Sequence, residues 1–387
     1  MEEMNELFYR DPYCREFDAV CVSCEKTKRD WEVILEDTAF YPEGGGQPGD
    51  HGTLNGIPVL DTRRIGGQVV HITEKEIPAG TAVHGEIDWE RRFDHMQNHT
   101  GEHIVSGLIH INYGYDNVGF HMGDILQLDF DGEVTFEMMR NIERQANRII
   151  WRDLPVQIAF PSQEELDVLE YRSKKELTGT VRIVTVPDAD ICACCGTHLK
   201  RTGEVGVIHL LSCTKHGNGT RIEMLAGNRA LTYLEGIADQ NTGISHLLSA
   251  KPLETLKAVT RLNEMNGELK YRMNGIMSSY LQYKVQAMEE SDGTVVMVED
   301  GLDSNAMRQL CNMIIEAHKA GVVAVLASND EVSCRYLIMS SGMDLKDVCR
   351  TFNQKLNGKG GGRGVMVQGT YNVPASEAMR VLERELQ

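Results

Sequence analysis

The 387 residues include 41% hydrophobic and 25% charged side chains, a globular balance that argues against a disordered or fibrous chain and, at this length, for two or three cores. A formal charge of −18 argues against nonspecific coating of nucleic acid and leaves any phosphate contact to local basic clusters. Those clusters are Lys26, Lys28 and Arg29; Arg91 and Arg92; Arg172, Lys174 and Lys175; Lys200 and Arg201. The opening MEEMNELFYRDPY lacks a basic, apolar leader, and no apolar run is long enough to span a bilayer. A cytoplasmic protein with no membrane partner is expected, its ten cysteines reduced or metal-bound.

The elements predict an α+β chain in four parts. From Asp18 to Ile87, short strands alternate with glycine turns at Gly44–Gly46 and Gly66–Gly67. Trp31, Val33 and Leu35 share one face, with Glu32 and Ile34 on the other, which predicts a β-rich, barrel-like domain over 1–90. Cys21 and Cys24 form a CxxC in a strand with no matching second pair, and are read as ordinary residues. Met96, Ile104, Leu108 and Ile111 recur at helical spacing, predicting a helix from Asp94 to Ile111. Further helices are expected over Phe136–Trp151 and Glu164–Leu177, followed by buried strands at VRIVTV and GEVGVIHLL, so 91–240 reads as a second, α+β domain.

Within 241–290 a long helix is expected between Leu253 and Met288. Leu262, Leu269, Met273, Ile276, Tyr280, Tyr283 and Ala287 form a heptad seam interrupted by Asn266. Such a seam suits packing within the chain or a homodimeric coiled coil equally. Residues 291–387 alternate apolar strands such as VVAVLA with helical segments, predicting a small α/β domain that ends in a helix near Glu377–Leu386.

Two segments carry chemistry. In His99-Thr-Gly-Glu-His103 the histidines are four apart on a predicted helix, so both rings can converge on one ion. In Cys192-Ala-Cys194-Cys195-Gly-Thr-His198 a thiolate and an imidazole four apart, in a glycine-containing turn after a strand, offer a second pair of ligands for a borderline-soft cation such as zinc.

These pairs, with Thr38-Ala-Phe-Tyr-Pro-Glu-Gly-Gly-Gly-Gln47 upstream and Thr202-Gly-Glu-Val-Gly206 and Arg221-Ile-Glu223 downstream, resemble the editing domain of alanyl-tRNA synthetase and the freestanding AlaX proteins. Gly358-Lys-Gly-Gly-Gly-Arg363 through Gln368-Gly369 resembles the glycine-rich segment of the C-terminal domain that follows it in that synthetase. The resemblance implies zinc ligation by His99, His103, Cys194 and His198. Cys192 and Cys195 fall off register and are expected to be packing residues or a redox liability. Only a few residues precede the β-domain, so no amino-acid activation module is expected and the protein should not charge tRNA.

The implied activity is trans-editing: deacylation of Ser-tRNA(Ala) or Gly-tRNA(Ala) by zinc-assisted ester hydrolysis, the ion lowering the pKa of a water toward about 7 and polarising the carbonyl. Glu102 is a general-base candidate, although on a helix it points about a quarter-turn from His103. Thr100 and Gln47 are implied substrate contacts, with a helix-N-terminal hydroxyl and a turn side chain as their ordinary roles. Asn117-Val-Gly-Phe-His-Met122, where the family senses the serine hydroxyl, offers no Thr or Gln, only His121. Arg91, Arg92, Lys359 and Arg363 are candidate RNA contacts, the last two through a glycine-rich loop that lets backbone amides approach phosphate. Two other readings stay open: an inverted His-x-x-Glu-His zinc protease with Glu102 as base, and a non-enzymatic RNA-binding protein with a structural zinc.

Overall fold

A computed structural model of the chain describes residues 5–173, 180–290 and 293–386. The chain divides into two compact units, Met1–Gly243 and Ile244–Gln387. Lys174, Lys175 and the end of the helix expected over Glu164–Leu177 lie outside the described residues.

The first unit opens with a single helical turn, α1 (Leu7–Arg10), and a closed six-stranded barrel: β1 (Glu16–Lys26), β2 (Trp31–Leu35), β3 (Gly52–Leu54), β4 (Ile57–Ile65), β5 (Gln68–Thr73) and β6 (Ala82–Ile87). Neighbours are antiparallel in the order β1-β2-β5-β4-β3-β6, and closure leaves no free edge. The alternation of β2 sends Val33 and Leu35 inward to meet Phe17, Phe40, Leu54 and Val83. Cys21 is buried in this cluster and Cys24 packs against it, so the CxxC is core material.

After the barrel comes α2 (Trp89–Tyr113). It begins five residues earlier than the apolar pattern indicates, because Asp88 caps it by accepting from the Arg91 amide. Then follow β7 (Asn117–Met122), β8 (Leu126–Phe130), α3 (Phe136–Trp151), β9 (Gln157–Ala159), α4 (Gln163–Leu166), β10 (Ile183–Val186), β11 (Asp190–Ala193), β12 (Ile208–His216), β13 (Gly219–Ala226) and α5 (Gly227–Leu248). Among the described residues the third expected helix is only the short α4, held by a Ser162/Glu165 capping box.

Strands β12-β13-β8-β7 form one antiparallel sheet and β11-β10-β9 another. Met139, Ile142, Ala146, Ile149 and Ile150 of α3, at spacings of three and four, join Met96, Ile104 and Ile109 of α2 and Leu128 and Ile222 of the larger sheet in one core. Because α2 runs through this core, every residue from Asn98 to Ile109 is buried, the polar ones included.

In the second unit the expected long helix is α6 (Thr255–Gln286), separated from α5 by a turn that includes Pro252–Glu254. Its last turns pack Leu281 and Val285 into a core, while Leu262, Leu269, Met273 and Ile276 of the heptad seam are exposed. Beyond it lie β14 (Thr294–Val298), α7 (Ser304–Glu316), β15 (Val322–Ser328), β16 (Cys334–Ser340), α8 (Lys346–Lys355), β17 (Lys359–Arg363), β18 (Met366–Tyr371) and α9 (Ala375–Glu385).

The strands form a mixed sheet, β14-β15-β16-β18-β17, with β14 and β15 parallel. Along β15, Val323, Val325 and Ala327 enter one core and Ala324 and Leu326 the other, so the apolar run is buried on both faces. The glycine-rich segment is β17, an exposed edge strand paired to β18, and not the loop expected from its composition. No helix among the described residues is long and apolar enough to cross a membrane.

Candidate metal centre

His99 and His103 project from one face of α2 with ring centroids 5.4 Å apart. Cys194 and His198 arrive from the turn that leaves β11. The His198 ring lies 4.6 Å from that of His99 and 4.7 Å from that of His103, and Cys194 Sγ lies 3.4 Å from His99 Nε2. One ligand atom from each of the four falls within 4.8 Å of the others. The structure thus brings the two expected pairs together in the interior of the first unit.

The surroundings fix two of the rings. Gly44 and Gln47 exchange backbone hydrogen bonds across Gly45 and Gly46, both at positive φ, in a tight turn that directs Gln47 inward. Gln47 Oε1 accepts from His99 Nδ1 at 2.9 Å and from the Thr197 amide at 3.1 Å, while its Nε2 donates to Thr197 Oγ1 at 2.8 Å. On the other side, His103 Nδ1 donates to Asp190 Oδ2 at 2.7 Å. Arg172 grips the same carboxylate with a fork, Nε to Oδ1 at 2.7 Å and Nη2 to Oδ2 at 2.8 Å. With both Nδ1 atoms donating outward, the Nε2 lone pairs of His99 and His103 are left for the cluster.

The donor chemistry fits a cation. Burial pushes the Cys194 thiol up, but the His99, His198 and His103 rings outweigh it and hold it well below its ordinary value, as a thiolate. Burial, helped by His99 and His103, lowers His198 to about 3 and keeps it neutral. Burial also disfavours charge on His103, yet the Cys194 thiolate, Asp190 and Glu102 raise it to about 10. A proton is thus held where a metal ion would sit. Both His198 ring nitrogens are buried without a hydrogen-bond partner, which an ion would remedy for one of them. One thiolate and three imidazoles make a donor set that suits zinc.

The remaining expected residues fall in different places. Glu102 is buried beside the cluster, its Oε2 3.9 Å from His103 Nε2 and its Oε1 accepting from Ser106 Oγ at 2.8 Å and Asn117 Nδ2 at 2.7 Å. Thr100 sits well inside α2, where its buried hydroxyl accepts from the Leu199 amide at 3.1 Å. It lies in the middle of the helix and not at its end. Gln47 orients a ligand and is fully buried. His121 is exposed on β7 and outside the cluster, whereas its neighbour Phe120 lies 5.3 Å from the His99 ring.

Arg92, an expected RNA contact, is fully buried and paired with Asp50, so it cannot meet RNA. Arg91 is half-buried, and Lys359 and Arg363 are exposed on β17. Arg172, a member of one of the basic clusters, is nearly buried on Asp190 and not free for phosphate, while Asp190 and Thr197 carry no local mark in the sequence, the first being the partner of a histidine 87 positions away. Asp190, Cys192 and His103 also lie within ligand distance of one another. There Arg172 already neutralises the carboxylate and His103 Nδ1 is already bonded, so this group serves as the outer layer of the first.

Residues 181–223 match the threonyl and alanyl tRNA synthetase second additional domain, residues 15–91 the class II (A) tRNA synthetases, and residues 290–384 the DHHA1 domain. The alanyl-tRNA editing protein AlaX-L of Pyrococcus horikoshii is 30% identical, the alignment covering 99% of this chain and 98% of that one. The alanyl-tRNA editing protein Aarsd1 of Mus musculus is 29% identical over 94% and 93% of the two chains. The alanine–tRNA ligase of Thermococcus kodakarensis is 30% identical over 100% of this chain and 44% of its own. The solved C-Ala domain of Aquifex aeolicus alanyl-tRNA synthetase is 26% identical and covers 25% of this chain and 96% of its own, with a TM-score of 0.22. A relative of this identity, aligned from end to end, makes this chain a member of the alanyl-tRNA editing protein family.

Proposed function

We propose that the protein is a zinc-dependent aminoacyl-tRNA deacylase that removes serine or glycine from tRNA(Ala) in trans, in the cytoplasm. The observation that carries this reading is the convergence of His99, His103, Cys194 and His198 in a chain aligned end to end with alanyl-tRNA editing proteins. These four residues would hold the ion, which when bound supplies Lewis-acid chemistry at an ester carbonyl and an activated water.

The chain's own side chains do the rest. Gln47 and Asp190 orient two ligands, Thr100 fixes the turn that carries a third, and Phe120 walls the site with an apolar ring. Ser106 and Asn117 hold the Glu102 carboxylate next to the ligands, where it is placed to steer a proton or the substrate's ammonium group. Arg91, Lys359 and Arg363 are assigned to the tRNA backbone, and the exposed apolar seam of α6 to pairing with a second copy.

The test is deacylation of Ser-, Gly- and Ala-tRNA(Ala) by purified protein. Size cannot keep glycine out of a pocket that admits alanine, and a methyl contact separates substrates by only about 1–3 kcal/mol. Faster loss of serine or glycine than of alanine, abolished in Cys194→Ala, supports the assignment; equal rates for all three esters, or full activity without zinc, refute it. An inverted zinc protease would instead need Glu102 and tolerate loss of Cys194.

A further inference from the structure

The four ligands are not held alike. His103 donates to a carboxylate that Arg172 also grips, and none of the three side chains is more than 9% exposed. His99 donates to a neutral amide, Gln47 Oε1, which Thr197 holds in turn. Gly196 lies directly against the His99 ring, where a Cβ would fall 2.0 Å from its Cε1. Cys194 is held by the backbone, since its amide donates to the Arg182 carbonyl at 3.0 Å, its carbonyl accepts from Arg182 Nη1 at 2.8 Å, and its Sγ accepts from the Gly196 amide at 3.4 Å.

His198 has none of this. The residues on either side are pinned, Thr197 by Gln47 and Leu199 by Thr100, but neither ring nitrogen has a hydrogen-bond partner outside the cluster. An outer partner fixes the orientation and raises the basicity of a ligating imidazole. A ring without one is the weakest donor of the set, and whichever nitrogen faces away from the ion stays buried and unpaired.

We infer that His99, His103 and Cys194 are the retaining ligands of the metal centre and that His198 is its replaceable ligand. This grading rests on the proposed zinc reading and deepens it. A hydrolytic site keeps one coordination position open whereas a structural site closes all four, and here the fold itself marks which of the four gives way.

The experiment measures zinc affinity of the metal-stripped full chain by competition with a chromophoric chelator, for the wild type, His198→Ala, His103→Ala, Cys194→Ala and Asp190→Ala. Asp190→Ala removes only an outer partner and is expected to weaken binding about 10- to 100-fold. His198→Ala is expected to cost no more than that, and His103→Ala and Cys194→Ala distinctly more. Cobalt-substituted protein supplies a second readout: added imidazole should return the His198→Ala absorption spectrum to that of the wild type and leave His103→Ala unrestored. Circular dichroism excludes variants that fail to fold, and His198→Gln replaces His198→Ala if that variant does. Loss of zinc from the position-198 variant as severe as from His103→Ala overturns the grading while leaving the zinc reading intact. A wild type that binds no zinc overturns both.

Discussion

Arg92 sits beside Arg91 in sequence but is fully buried where Arg91 is half-buried, and removing Arg92 should cost stability. Its Nε lies 3.0 and 2.9 Å from the two Asp50 oxygens, its Nη1 donates to the Pro12 carbonyl at 2.9 Å, and its Nη2 donates to the Ala39 carbonyl at 2.5 Å. Arg92→Ala leaves the Asp50 carboxylate buried with, among the described residues, only the Tyr41 amide as a donor, and strands both carbonyls. Breaking a buried pair in this way costs about 3–5 kcal/mol, and the stranded carbonyls push the loss toward the upper end. A domain has only about 5–15 kcal/mol in total. Arg92→Lys keeps the charge without the fork and should lose less. Trp31, Trp89 and Trp151 all lie in the first unit and are the chain's three tryptophans, so urea unfolding followed by tryptophan emission reports that unit alone. The half-exposed control Arg91→Ala should stay within about 0.5 kcal/mol of wild type. An unchanged midpoint for Arg92→Ala together with weakened tRNA binding would refute the reasoning.

Buried His71 donates from Nδ1 to the Val33 carbonyl and accepts at Nε2 from Thr38, and burial lowers its pKa from 6.5 to about 4. The folded chain therefore binds fewer protons than the unfolded one between these values. Stability is full above 6.5 and falls by about 3 kcal/mol as pH drops toward 4; a pH series in which His71→Asn leaves that slope unchanged would exclude His71 as its source. Gly196→Ala, whose new Cβ would meet His99, should lower zinc content by elemental analysis while far-ultraviolet circular dichroism stays native; retained zinc would argue against the crowding. Replacing Lys359 and Arg363 with alanine should weaken all tRNAs alike and flatten the salt dependence by about one unit of slope per lost phosphate contact. Unaltered binding would move the RNA surface elsewhere.

What the sequence made legible was local or carried by resemblance. Two histidines four apart on an amphipathic segment, and Cys194 four before His198, announce ligand pairs because helix and turn geometry act over a few residues. Burial is decided by partners far along the chain, which no local pattern displays. Arg91 and Arg92 look alike, yet on a helix successive residues point about 100° apart, and Asp50, which claims Arg92, lies 42 residues upstream. The glycine run at 359–363 has no side-chain alternation to betray a strand, and it becomes one through pairing with β18. Glu102 looked a quarter-turn out of line, but Ser106, one helical turn on, and Asn117 of β7 hold its carboxylate near His103.

The barrel supplies no candidate ligand, yet Gln47 ties it to the cluster through His99 and Thr197, 52 and 150 residues away. With zinc held as proposed, that tie makes metal occupancy and barrel folding thermodynamically linked quantities. A ligand that binds the folded form alone, at a thousand times its dissociation constant, adds about 4 kcal/mol of stability, and part of that is delivered to strands that never touch the ion. The link also runs in reverse. A substitution deep in the barrel that loosens the Gln47 turn raises the zinc concentration needed for half-occupancy, so scarcity of the metal would expose barrel variants that are silent when zinc is plentiful.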